Sequence, residues 1–360
     1  MTLSGTGQSM ERVDGFGLLI DAMDEGRVLV TGAAGFIGSH VVRELLTTGR
    51  EVRATVRNPI NAEFLKALPG SERLEIVAMD LLDRAAVDAA VAGCTDVIHC
   101  AAALFVGALD KQRDVVDPSI MGTQNLLDAI DASGGVNRLI HTSSVAAVRR
   151  TAYRNGDTFS SADWCDDATV DSNAYGLAKA GAERLARGWI AAKPAEKRPR
   201  YVSINPSIVF GPVLSERHLA GSMAVIDHLL KRKPPILLKM HVNIVDVRDV
   251  ATAHVKALTR GEDGGRYIVF NGSMWMRDMS AVLRRAIPER KWPRLTLPKT
   301  LTYVLSIFHP QLTPSWVRRS VGTSCEYDSS PAVTELGMNW IPLEDSVIDG
   351  ARSAIDAGWR

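Results

Sequence analysis

The sequence predicts an α/β fold: a doubly wound parallel sheet with a smaller C-terminal lobe. Three observations point to it. Short apolar strand patterns alternate with helical patterns from about residue 27 to residue 210, the alternation that builds parallel crossovers. A glycine-spaced turn, Gly32-Ala33-Ala34-Gly35-Phe36-Ile37-Gly38, joins the first strand pattern to the first helical pattern. After Gly211-Pro212 the alternation gives way to mixed short elements interrupted by Pro234, Pro235, Pro288, Pro293, Pro298, Pro310 and Pro314.

Composition bounds the reading. A chain of 360 residues with 46% hydrophobic and 23% charged residues has the make-up of a soluble globular protein, either one large domain or a domain with an appended lobe. A net charge of +1 supplies no general attraction to nucleic acid or to an anionic membrane. Cys94, Cys100, Cys165 and Cys325 form no CxxC and no zinc-type spacing, so they read as reduced thiols in a cytoplasmic setting. The histidines make no H-x-x-x-H pair, and no metal is expected. No run approaches the ~20 apolar residues of a membrane span. Residues 1–24 lack the basic start and apolar core of a signal peptide and read as a flexible N-terminal extension.

The elements follow in order. Arg27–Thr31 is the first strand, and a helical pattern begins at Phe36 and runs through Val41, Val42, Leu45 and Leu46. A helix N-terminus presents unpaired N–H groups and the positive end of a dipole, which suits a pyrophosphate. Gly32 allows the turn, Gly35 lets a phosphate approach the backbone, and Gly38 lets helix and strand pack closely. Further strands are expected at Val52–Val56, Leu74–Ala78, Asp96–His99, Arg138–Thr142 and Tyr201–Asn205. A helix through Ile120, Leu126, Leu127 and Ile130 lies between the fourth and fifth. Residues 145–172 lack periodicity and read as a long loop over the site. Residues 25–210 thus form the nucleotide-binding unit, with 242–260 returning to its sheet. Residues 211–241 and 261–360 form the substrate lobe. Leu301–Phe308 is apolar but short, and reads as a surface or substrate-mouth helix.

Two stretches carry chemistry. In Asn173-Ala174-Tyr175-Gly176-Leu177-Ala178-Lys179, Tyr175 and Lys179 share one helix face. A free phenol titrates near 10, too high for ready proton transfer at neutral pH, and a neighbouring ammonium favours the phenolate. Ser143-Ser144 ends the fifth strand, where a hydroxyl can hold a carbonyl oxygen. A serine donor, a tyrosine acid and a lysine fit hydride transfer to a carbonyl.

With these segments the chain resembles the extended short-chain dehydrogenases/reductases, of the epimerase/dehydratase superfamily. The resemblance rests on Thr31–Gly38, Asp80-Leu81, His99–Ala102, Thr142-Ser143-Ser144, Tyr175–Lys179, Asn205–Pro212, Val245–His254 and the closing Tyr327–Gly337 stretch. Within that family it is most similar to the branch of dihydroflavonol reductase and cinnamoyl-CoA reductase. The clues there are Val52–Pro59, Asp117-Pro118…Gly122-Thr123 and Asp163-Trp164-Cys165-Asp166-Asp167.

The resemblance implies a Rossmann-type fold, Ser144, Tyr175 and Lys179 as catalytic residues, and a cofactor site. Gly32, Gly35, Phe36, Ile37 and Gly38 would take the pyrophosphate, and Asp80 and Leu81 would frame the adenine. Ala101 and Ala102 would line the cofactor, Tyr175 and Lys179 would reach the nicotinamide ribose, and Pro206 and Val209 would border the nicotinamide. An acid at the end of the second strand bonds the 2′-hydroxyl of NAD, whereas an arginine pairs with the 2′-phosphate of NADP. Arg57 stands there with Arg53 close by, which points to NADPH/NADP rather than NAD.

The chain also departs from the branch. It lacks the Asn-Trp-Tyr-Cys signature of the cinnamoyl-CoA enzymes around Tyr175. It carries Arg149 where the flavonoid enzymes have asparagine, and Phe64 replaces a second basic residue. Arg149 is therefore a candidate substrate residue.

The resulting expectation is an NADPH-dependent reductase of an aldehyde or ketone, reversible as an alcohol dehydrogenase. Its partner is a small carbonyl or alcohol substrate, and the family also allows a homodimer. Alternatives are an NAD-dependent nucleotide-sugar epimerase, a hydroxysteroid-type dehydrogenase and a non-catalytic NADP-binding regulator. Val145-Ala146-Ala147 after Ser144 carries none of the acids of the family's dehydratases.

Overall fold

The computed structural model describes residues 26–101, 110–233, 235–307 and 313–360. The extension expected at residues 1–24 lies outside them. In chain order the described strands are β1 (Arg27–Thr31), β2 (Val52–Val56), β3 (Leu74–Ala78), β4 (Cys94–His99), β5 (Arg138–Thr142), β6 (Asp157–Phe159), β7 (Arg200–Pro206), β8 (Ile208–Phe210), β9 (Leu237–Leu238), β10 (His241–Asp246), β11 (Arg266–Val269), β12 (Gly272–Trp275), β13 (Thr296–Leu297) and β14 (Cys325–Tyr327).

Seven of them form a parallel sheet in the order β11-β7-β5-β4-β1-β2-β3. The side-chain alternation of a strand explains why it is covered on both faces. Val28 and Val30 of β1 pack with Val41, Val42 and Leu45 of the Phe36–Thr47 helix and with Val250 and Ala251 of the Val247–Ala257 helix. Leu29, between them, packs on the other face with Leu126, Leu127 and Ile130 of the Asp117–Ser133 helix. All three β1 residues are fully buried. The Asp117–Ser133 helix ends on Gly134 at φ 60°, a left-handed cap that glycine adopts without a Cβ clash. The chain leaves β1 toward β2 on one side and β4 lies on the other, so the strand order reverses beside the carboxyl end of β1, where open α/β sheets bind ligands.

One expected strand falls elsewhere. The stretch from Val242 was expected to return to the main sheet, but β10 pairs in parallel with β8 and antiparallel with β12 in a second, three-stranded sheet. Pro206, with no N–H to donate, ends β7, and β8 starts the second sheet two residues on. The Val247–Ala257 helix then crosses back, and β11 becomes the seventh main strand beside β7. The lobe has its own core, including Phe210, Met223, Ile226, Val242, Ile244 and Leu283.

The 145–172 segment is pinned at two points. β6 pairs with β14, Asp157 opposite Cys325. Trp164 is clamped between guanidinium groups, Arg266 at 3.8 Å and Arg184 at 4.5 Å from its ring centre. Leu301, Val304 and Leu305 of the Lys299–Ser306 helix are half exposed, as a surface helix requires, and Phe308 lies outside the described residues. No helix among the described residues is long and apolar enough to cross a membrane.

Candidate active site

The glycine turn is shaped by close backbone approach. Gly32 has φ +66°, and a Cβ there would stand 2.7 Å from the Ala101 Cα. A Cβ on Gly38 would meet the Gly32 carbonyl oxygen at 2.4 Å, so only glycine lets the helix start against the turn. Gly35 is the N-cap of the Phe36–Thr47 helix and supplies no side-chain cap, which leaves the first N–H groups, at Phe36 and Ile37, for a ligand. The Gly35 N–H itself donates to the Gly32 carbonyl (2.9 Å). The turn is tied to both neighbouring strands. The Ala33 N–H donates to the Thr55 carbonyl (3.2 Å), and the Ala101 N–H donates to the Thr31 hydroxyl (3.2 Å).

Arg57 follows β2 directly and is exposed, with no ion pair among the described residues. Arg53 does not join it. Near the other end of the strand, its Nε donates to Glu75 (2.8 Å) and its guanidinium also reaches the Ala90 and Ala92 carbonyls. Three intervening residues, four steps of the strand rise, separate the two arginines by about 13 Å. Phe64 packs edge-on against His218, 5.5 Å between ring centres, in the place expected for a second cation. His218 in turn bonds the Ala34 carbonyl through Nε2 (3.1 Å) and accepts the Leu214 N–H at Nδ1 (3.3 Å), linking the glycine turn to the lobe. Asp80 holds an Asx turn through the Leu82 N–H (3.0 Å), and the Asn125 side chain donates to the Leu81 carbonyl (2.8 Å). Ala102 lies outside the described residues.

Ser144 and Tyr175 meet through backbone geometry. The Val170–Ala191 helix breaks at Asn173 (φ −162°, ψ 67°), whose Oδ1 accepts the Gly176 N–H (3.0 Å) and re-caps the helix that carries Tyr175 and Lys179. A Cβ on Gly176 would collide first with the Asn173 side-chain amide and would also stand 3.0 Å from the Ala146 carbonyl oxygen. Glycine therefore lets the tyrosine's turn lie against the turn after Ser144, whose Oγ accepts the Ala146 N–H (3.1 Å). Lys179 is buried, and its Nζ donates to the Thr142 carbonyl at the end of β5 (2.9 Å). Tyr175 is half-buried. Neither Asn173 nor Gly176 was singled out from the sequence, although an asparagine three residues before a glycine is a readable capping signal.

Beneath this surface lies a buried polar layer that sequence reasoning missed. Glu183, one helical turn past Lys179, accepts from the Ser143 hydroxyl (2.5 Å), Ser203 hydroxyl (3.0 Å), Asn205 amide (2.9 Å) and Arg266 Nε (2.7 Å). Burial raises its pKa, but the Arg266 charge and these hydrogen bonds outweigh burial and hold it below the usual carboxylate range. Ser143 is thereby committed to Glu183. Beside Lys179, His99 bonds the Thr31 hydroxyl (2.7 Å) and His254 bonds the Thr142 hydroxyl (2.7 Å). A small cavity of about 30 Å³ is lined by His99, His141, Lys179, Ser119 and Thr123, among others.

On the lobe side, Pro206 and Val209 are buried at the passage from β7 to β8. Asn205 Oδ1 and Ser207 Oγ flank Pro206, buried and without a hydrogen-bond partner among the described residues. Arg149 is half-buried and stacks over Tyr153, 4.6 Å from the ring centre.

The chain is similar to known proteins over most of its length. A model described as the NAD dependent epimerase/dehydratase family matches residues 28–271. The chain is 31% identical over 280 residues to dihydroflavonol 4-reductase of Hordeum vulgare, covering 75% of this chain and 78% of that protein. It is 32% identical over 330 residues to cinnamoyl-CoA reductase 1 of Petunia hybrida, covering 88% and 95%. Its fold is similar to that of the yeast methylglyoxal/isovaleraldehyde reductase Gre2 complexed with NADPH. The TM-score is 0.77 at 25% identity, covering 93% of this chain and 99% of that one.

Proposed function

Because the chain belongs to the NAD dependent epimerase/dehydratase family, and within it to the extended short-chain dehydrogenases/reductases, we propose that this oxidoreductase reduces an aldehyde or ketone with NADPH and runs in reverse as an alcohol dehydrogenase. The carrying observation is the seating of Gly176 against the Ala146 carbonyl, which joins the Tyr175–Lys179 turn to the Ser144 turn at the carboxyl end of β5.

The residues present fit the cofactor. The helix start at Phe36 and Ile37 has no side-chain cap and is held against a turn that only glycine at position 38 allows, which leaves its first N–H groups for a ligand. The buried, unpartnered Asn205 Oδ1 and Ser207 Oγ add polar atoms where the main sheet passes into the lobe. In this reading Gly32, Gly35, Phe36, Ile37 and Gly38 bind the pyrophosphate, and Arg57 pairs with the 2′-phosphate. Asp80 and Leu81 frame the adenine. Ala101 and Ala102 line the bound cofactor, and Pro206 and Val209 border its nicotinamide. When bound, NADPH supplies a hydride to the carbonyl carbon.

The protein's own groups handle the oxygen. Ser144 Oγ donates a hydrogen bond that orients and polarises the carbonyl. As the carbon–oxygen π bond breaks, the Tyr175 hydroxyl gives its proton to that oxygen and is left as phenolate, to be reprotonated from solvent. Lys179, anchored on the Thr142 carbonyl, is held one helical turn from Tyr175 on the same helix. The four free cysteines fit a reducing, cytoplasmic setting.

The test is NADPH oxidation over a panel of aromatic and aliphatic carbonyls. Tyr175→Phe is expected to lower turnover at least about 100-fold while NADPH binding, followed by fluorescence, persists. Turnover equal to that of the unaltered protein would overturn Tyr175 as the proton donor.

A further inference from the structure

Among the described residues Arg149 is a cation without an anion. Its N–H donates to the Val145 carbonyl (2.8 Å), so it belongs to the turn that Ser144 opens. Its guanidinium lies over the Tyr153 ring, and its one described polar contact is the Cys325 thiol at 3.9 Å. Val145 and Tyr153 pack with Phe159, Phe270 and Tyr327, which makes the surroundings largely apolar and aromatic.

The carboxylates along the same loop and strand are committed elsewhere. Asp157 accepts the Arg154 N–H, Asp163 binds Ser160, Asp166 pairs with Arg184 and Asp167 accepts the Thr151 and Ala152 N–H groups. Glu183 is held by Arg266, and Glu326 accepts from Ser273.

A guanidinium stays charged in a protein, and sequestering it without a counterion is costly. Its planar fork matches a carboxylate in bidentate fashion. The place is also right for a substrate group. Cys325 is bonded through its carbonyl to Asn243 of β10 (2.9 Å), and β10 pairs with the strand that carries Val209. Arg149 therefore lies between the Ser144 turn and the lobe sheet.

We propose that the substrate is a carbonyl compound that carries a carboxylate, and that Arg149 binds that carboxylate while Ser144 and Tyr175 engage the carbonyl. The proposal rests on the carbonyl-reductase reading above and names its substrate class.

The experiment compares keto acids with one to four carbons between carboxylate and carbonyl, each beside its neutral methyl ester, in Arg149→Met, Arg149→Lys and the unaltered protein. The unaltered protein should favour at least one acid over its ester by about tenfold to hundredfold in kcat/KM, the range of a charge-assisted hydrogen bond. Arg149→Met should erase that ratio, chiefly through KM, and Arg149→Lys should restore part of it. Esters reduced as well as acids throughout, or an acid preference that survives in Arg149→Met, overturns the proposal and leaves carbonyl reduction standing. Should neither acids nor esters be reduced, the proposal is overturned, and the carbonyl-reductase reading is decided separately by the panel of aromatic and aliphatic carbonyls. Calorimetric titration with benzoate is a second readout: binding that Arg149→Met abolishes supports the proposal, and binding that is absent or unchanged by the substitution overturns it.

Discussion

Arg57 and Arg53 are chemically identical and four positions apart, yet only Arg53 is engaged by neighbouring groups among the described residues. Arg53 is spent on Glu75 and two carbonyls, while Arg57 stands exposed past the end of β2. Its place at a strand end was legible, because strand length sets which residue meets the ribose. The engagement of Arg53 was not, because Glu75 lies on the neighbouring strand. Arg57→Ala is expected to lower kcat/KM for NADPH by about tenfold to hundredfold with a much smaller effect on NADH. The ratio of the two cofactors measures it, and an unchanged ratio removes Arg57 from the phosphate site. Ser143 and Ser144 make a similar pair. Adjacent serines on a strand end point to opposite sides, and Glu183 takes the first. That leaves the second free for the proposed carbonyl contact.

The element that positions the chemistry is the broken Val170–Ala191 helix. Its first turn is capped by Thr169 and Ser172, and its second start is capped by Asn173. The break lets the Asn173 amide also donate to Thr151 (3.1 Å), so the helix that carries Tyr175 and the 145–172 loop share one anchor. Replacing Asn173 by alanine removes the cap and should cost about 1 kcal/mol of stability. Asn173→Asp keeps the acceptor and should retain most of it. Denaturant unfolding of the two variants, with turnover in parallel, checks this, and equal loss in both would discount the cap. Tyr-x-x-x-Lys spacing was readable from the chain, since helical periodicity alone puts both on one face. The break at Asn173 was not, since it depends on Thr151 and Cys165 approaching from the loop.

Across the whole molecule, buried histidines set a pH dependence. Burial lowers His40 and His141 to about 3 and His218 and His254 to about 4, and it holds His99 well below its ordinary value. An unfolded histidine titrates near 6.5. A depressed folded pKa means that this stability is complete above pH 6.5 and is lost as pH falls toward 4 and 3, because the unfolded chain takes up the protons first. Asp249 acts in the opposite sense. Burial raises it to about 6, so its contribution is complete below an unfolded carboxyl's ~3.9 and fades as pH rises through 6. Five histidines outweigh one aspartate on the acid side, so unfolding free energy should fall steeply from pH 6.5 to 4. His218→Gln, at the link between the glycine turn and the lobe, should flatten that slope by about one proton. Chemical denaturation at several pH values measures both, and a flat acid limb would contradict the buried neutral state.

What the sequence by itself determined is local. The glycine turn, the strand and helix alternation, the Tyr175–Lys179 spacing and the strand-end positions of Ser144 and Arg57 follow from backbone periodicities a few residues long. Tertiary structure alone decided the rest: that β10 leaves the main sheet and β11 completes it, that Glu183 gathers Ser143, Asn205 and Arg266, and that Arg149 meets no acid among the described residues. Those outcomes join residues far apart in the chain, as Arg266 and Glu183 are by 83 positions. Local spacing is blind to them, because they depend on where crossovers return the chain and on which charges those crossovers bring together.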